Sequence, residues 1–188
     1  MFHSSTEFLI DYWRARKGGS RVPPRSALVP GDFAHLLPQV FIGLYDAAGS
    51  VRLALAGEYL ADLHGPHLRG ADLALLWEEA DRREIAVALA AALRKASPAV
   101  ITAEAQAEGA PTLDLEILFA PIGAGGSKGG GFLGLYQPLA PARPVRRGPE
   151  RSLSILSIAQ TGEVLPFAAL ARGVPKLRLA AVDGRRVL

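Results

Sequence analysis

One stretch constrains this chain more than any other. Residues 57–77 read GEYLADLHGPHLRGADLALLW. Leucines recur at short intervals, as in helical turns that bury one side. Gly65, Pro66 and Gly70 interrupt them, and a proline inside a helix removes a hydrogen bond and collides with the preceding turn. The stretch therefore predicts two or three short helical turns and rules out one long helix.

Its flanks read differently. Upstream, Gln39–Tyr45 and Val51–Ala56 are strand-like and joined by the tight turn Asp46–Gly49, which predicts a hairpin. Downstream, 78–96 is Ala-rich, free of Gly and Pro, and carries Ile85, Leu89 and Leu93 on one stripe. That is the clearest helix in the chain, and Pro98 ends it. Three strand-like runs follow, at 99–107, 112–121 and 132–136. In the second, Leu113, Leu115, Ile117 and Phe119 fall on one side, with Asp114 and Glu116 on the other, towards solvent. Helices inserted between the second and third of five strands predict an α+β fold, an antiparallel sheet with helices on one face.

At the start, Ser4 and Glu7 have the spacing of a capping box. Phe8, Leu9, Tyr12 and Trp13 then share one face of a short amphipathic helix, with Arg14, Arg16 and Lys17 in its last turn and Gly18 and Gly19 after it. Either the body of the protein or a second copy must cover that aromatic face. These four residues are the candidate dimer contact. Pro30, Gly31 and Asp32 open a short helical turn that Pro38 closes.

Charge is uneven. Residues 141–188 carry nine basic side chains against three acidic ones, a net +6, while residues 1–140 carry −3. A basic tail offers nucleic-acid binding as one reading, but its charges are scattered rather than blocked, as on an ordinary soluble surface. The chain has no cysteine, which excludes disulfides, thiolate zinc sites and thiol nucleophiles. No apolar run is long enough to span a bilayer, and no secretory leader is visible, so the expected location is cytoplasmic.

The pattern G-x-x-L-x-x-L-x-G-x-x-L-x-G-x-x-L-x-x-x-W over residues 57–77, between a hairpin and a long helix with three strands, resembles the core of PAS domains. Three further features resemble short single-PAS proteins of alphaproteobacteria: Tyr12-Trp13 on the leading helix, the Pro30-to-Pro38 stretch, and Leu55-Ala-Gly57. The resemblance covers residues 39–138. It divides the chain into a helix and connector (1–38), a PAS-like domain (39–138), and a Pro/Arg linker with a C-terminal extension (139–188).

The resemblance implies a five-stranded antiparallel sheet and a stand-alone sensory or regulatory module, often a homodimer. Such a module works through signalling proteins that the sequence does not identify. A small-molecule ligand would sit between sheet and helices, with Tyr59, Leu63, Leu76 and Trp77 as the candidate cavity walls. Plain core packing is the competing reading of these four. No cofactor is expected. Without cysteine, thiol–flavin photochemistry has no nucleophile, and the 78–96 helix lacks the histidine with which PAS domains hold haem.

The remaining candidates point to no reaction. His64 and His67 could share a metal with Asp62, but Gly65 and Pro66 break the helix that would aim them together, so surface or capping roles are expected. GAGGSKGGG, residues 123–131, lacks the spacing and following helix of a phosphate loop and reads as a hairpin loop. Glu78, Glu79 and Asp81 suit a helix N-terminus. No nucleophile–histidine–acid signature occurs, and the chain is read as a non-enzyme. The alternatives are a small enzyme using the sheet cavity, or nucleic-acid binding through the tail.

Overall fold

The computed structural model describes residues 1–123, 130–140, 149–160 and 163–166. Most of the glycine-rich loop, most of the Pro/Arg linker and the second apolar run of the C-terminal extension, 174–182, with the turn that Asp183-Gly184 suggests after it, lie outside the described residues.

The hairpin is β1 (Val40–Tyr45) and β2 (Val51–Ala56). Gly57 then starts α2 (Glu58–His64). Short 3-10 turns at Leu73–Leu76 and Glu79–Asp81 lead into α3 (Arg82–Lys95). The long helix thus begins later than its composition suggests, because 79–81 winds as a 3-10 turn. It ends before Pro98 as expected, with Ala96 in the left-handed region at φ 50°. Then come β3 (Ala99–Gln106), β4 (Leu113–Ile122) and β5 (Gly131–Pro138).

These five strands form an antiparallel array in the order β2-β1-β5-β4-β3. Two more strands extend it beyond β3: β6 (Ser152–Gln160) and β7 (Glu163–Pro166). The C-terminal extension, through its apolar run 153–158, is therefore part of the sheet.

Alternation sorts side chains onto two faces. Phe41, Leu53, Ile101, Leu115, Ile117, Phe119, Phe132 and Tyr136 meet α2 and α3 in the larger core. Val40, Ile42, Val100, Leu118, Ala120, Leu133 and Leu135 meet the leading helix α1 (Ser4–Lys17) and the 3-10 segment Pro30–Gln39. Helices cover one face as expected, and the N-terminal elements cover the other. The central strands β4 and β5 are consequently buried on both sides.

That second cover corrects one reading. Glu116 does not face solvent: it is only 6% exposed, and it accepts a 2.9 Å hydrogen bond from the backbone N–H of His3, just before α1. Asp114, two residues back on the same side, does stay exposed. The cap is also displaced by one residue. His3, not Ser4, is the N-cap, its Nδ1 accepting from Ser5 N, while Glu7 accepts from Phe2 N.

α1 is seated by its own side chains. Leu9, Ile10 and Trp13 are buried, and the Trp13 indole donates to the Pro121 carbonyl at 2.6 Å. Tyr12 packs edge-on against Phe33 and its hydroxyl accepts from Val29 N at 2.8 Å. Arg16 pairs with Asp32 and lies over the Tyr12 ring. Phe8 leans on His35. The aromatic helix and the Pro30–Pro38 stretch are thus one docking unit.

Gly57 sits where the chain passes the carbonyls of Leu37 and Pro38. A Cβ there would lie 2.2 Å from the Pro38 oxygen and 2.5 Å from that of Leu37. Only glycine admits so close a backbone crossing.

Candidate ligand site between sheet and helices

α2 is a short helix whose buried side carries Leu60, Leu63 and His64. Gly65 ends it at φ 92°, a conformation that side chains with a Cβ adopt poorly. The turn leaves His64 pointing inward. Its ring stands edge-on to that of Tyr136 at 5.7 Å between centroids. Nδ1 lies 2.7 Å from the carbonyl oxygen of Arg151, at the start of β6. A carbonyl only accepts, so Nδ1 carries the proton and Nε2 is a bare acceptor. Burial pushes the His64 pKa down to about 4, outweighing the opposing hydrogen bond, and the ring is neutral. His64 is therefore not the surface residue that its neighbours Gly65 and Pro66 suggested, whereas His67 is exposed.

Tyr136 reaches the same core because Phe132, Gly134 and Tyr136 share one side of β5. It is fully buried, and that burial holds its hydroxyl above the ordinary tyrosine range. Trp77 follows the 3-10 turn at Leu73–Leu76 and is 1% exposed. Its backbone bridges to Leu153 of β6.

His64 Nε2, the Trp77 indole N–H and the Tyr136 hydroxyl have no hydrogen-bond partner among the described residues. Orphaned polar groups in a core cost stability unless something meets them. The three offer one acceptor, one donor and one group able to do either, all uncharged. None of the three carries a charge that would offset the cost of burying an ion. A small neutral molecule bearing both donor and acceptor suits this chemistry.

Of the four residues expected as cavity walls, Leu63 and Trp77 are fully buried in this core, while Tyr59 and Leu76 pack half-buried against it. Burial raises the Tyr59 pKa, and the Arg151 cation opposes the rise. None of the four lines the open cleft of about 210 Å³ that lies elsewhere, between the β1–β2 turn, the Leu73–Leu76 turn and α3, with Tyr45, Asp72, Ile85 and Leu89 among its walls. Sequence reasoning read His64 as a surface or capping residue and passed over Tyr136. Tyr136 was within reach through the alternation of β5, but His64 was not, since its partner Arg151 lies far along the chain.

Of the four candidate dimer residues, Leu9 and Trp13 are spent on the chain's own sheet, and Tyr12 is half-buried against Phe33. Phe8 remains 42% exposed. Val29 and Leu37 are exposed in the connector that α1 packs against.

No group of three metal-ligating side chains comes together among the described residues. Asp81 is buried, but its carboxylate is engaged by the Ile155 N–H at 2.9 Å. Glu116 lies on the opposite face of the sheet. No helix among the described residues is long and apolar enough to cross a membrane.

A PAS domain family model matches residues 1–137. The chain belongs to the PAS domain family, whose members are in general sensory and regulatory modules. The match takes in α1 and the Pro30–Pro38 stretch and ends within β5, before the extension. No curated protein and no solved structure matches the chain.

Proposed function

We propose that this chain is a sensory and regulatory module of bacterial signal transduction, cytoplasmic and without catalytic activity of its own. It acts through contacts with other proteins and is gated by a small neutral ligand held between the sheet and its covering helices. The observation that carries the ligand is the set of three orphaned polar atoms on His64, Trp77 and Tyr136. A regulatory rather than catalytic reading is supported by how the buried ionisable groups are used. His64 is neutral and bonded to β6, Asp81 holds a backbone N–H, and Glu116 holds the start of α1.

A homodimer would form on the outer surface of α1, centred on Phe8, with Val29 and Leu37 also exposed in the connector that α1 packs against. An organic extract of the freshly purified protein, analysed by mass spectrometry, tests the ligand. A neutral molecule with donor and acceptor groups, near one per chain, is the expected result. An extract holding no such molecule at that stoichiometry refutes the gating.

A further inference from the structure

The five-stranded array β2-β1-β5-β4-β3 is complete without β6, and the family match ends before it. Yet β6 pairs along the whole of β3, from Ala99↔Gln160 to Gln106↔Ser152. The connection does not force it there. Residues 139–151 reach much further than the roughly 15 Å that three strand spacings put between β5 and β6. Contacts, not the tether, hold β6 in place.

Those contacts gather at its first residues and reach three helical pieces at once. Arg151 N donates to the Leu63 carbonyl at 2.8 Å, and the Arg151 carbonyl receives the His64 Nδ1 proton. The Arg151 guanidinium donates to the carbonyls of Ala105 and Pro111. Glu78 N donates to the Leu153 carbonyl, Ser152 Oγ meets the Glu78 carboxylate, and Ile155 N donates to Asp81. The Glu150 carboxylate rests on Gly65, where a Cβ would come within 2.4 Å of it. The end of α2, the turn at Trp77 and the start of α3 are thus fastened to one strand. Beneath it, Leu153, Ile155 and Ile158 close the larger core.

We propose that residues 150–160 form a releasable strap. Attached, it locks the helices over the interior. Released, it bares the β3 edge and the apolar row beneath it for strand addition by a partner protein. The partner supplies an extended segment with alternating apolar residues, as the strap itself does, because an open sheet edge recruits strands through backbone hydrogen bonds and selects them by the alternate side chains. Three observations make the strap the part that opens first. It lies near the sheet edge, with only the four-residue β7 outside it among the described residues. Its ladder with β3 carries a register shift at Thr102/Ala103. Two of its polar ties, from Arg151 to the Pro111 carbonyl and from Ser152 to Glu78, are exposed to solvent, where water competes for them. The proposal is independent of whether the interior holds a ligand.

Amide hydrogen exchange of the full chain, read residue by residue by NMR, tests it. Amides of β6 and the alternate β3 amides that face it should exchange together, through one opening, at least about tenfold faster than those between β4 and β5. A labelled peptide of residues 150–160 should bind the Asp81→Ala protein and bind the parent weakly. Equal protection of β6 and β4–β5 in the parent protein overturns the proposal. So does a folded Asp81→Ala protein that ignores the peptide.

Discussion

His64 Nδ1 and the carbonyl oxygen of Arg151 lie 2.7 Å apart, so one hydrogen bond ties the end of α2 to the start of β6. The rest of the ring is buried, and its pKa falls to about 4. An unfolded histidine titrates near 6.5. Between those values the unfolded chain takes up a proton that the folded chain refuses. Stability is therefore full above pH ~6.5 and falls as pH drops through 4, by on the order of 3 kcal/mol. Urea unfolding at pH 7 and pH 4.5 should show this fall, and His64→Phe should flatten it. An unchanged pH dependence in the variant would place the titrating group elsewhere.

Asp81→Ala strips the Ile155 N–H of its buried partner. Leaving such a donor unmet costs about 1–3 kcal/mol. Chemical denaturation should show a lower midpoint with little change in slope.

Gly57→Ala drives a methyl group into the carbonyls of Leu37 and Pro38, which are backbone and cannot swing aside. Overpacking of this kind costs about 1–3 kcal/mol. Gly19→Ala, where a Cβ meets nothing within 4 Å, should stay within roughly 0.5 kcal/mol of the parent. Thermal melts of the two variants side by side separate a required glycine from a tolerated one.

The leading helix makes two opposite predictions. Trp13→Phe loses the indole bond to Pro121 in a buried site, for about 1–3 kcal/mol. Phe8→Arg, at a half-open position, should leave stability within roughly 0.5 kcal/mol and convert a dimer to a monomer in light scattering. If the Phe8 variant keeps the parent's oligomeric state, the α1 surface is not the dimer contact.

What could be read in advance was what local periodicity records. The hairpin 40–56, the glycine-punctuated turns after it and the alternation of 113–119 all carry their signal within a few residues. Asp114 and Glu116 show where that signal stops. They share a side of β4, but only Glu116 lies under the start of α1, so one is exposed and the other buried. Coverage is a property of the packed chain, not of the alternating pattern. His64 fails for the same reason, since β6 arrives from residue 151 to bury it. The 153–158 run was visibly apolar, but nothing local could say that β3 was its partner.

The most direct test of the central claim is native mass spectrometry of the parent protein beside Tyr136→Phe and Trp77→Phe. Both substitutions remove an orphaned buried polar group, so neither should unfold the chain. The account predicts that the parent flies with a small molecule bound, and that both variants lose most of it while remaining folded. A parent protein carrying only the mass of its own chain, or variants that hold the molecule as tightly as the parent, would contradict it.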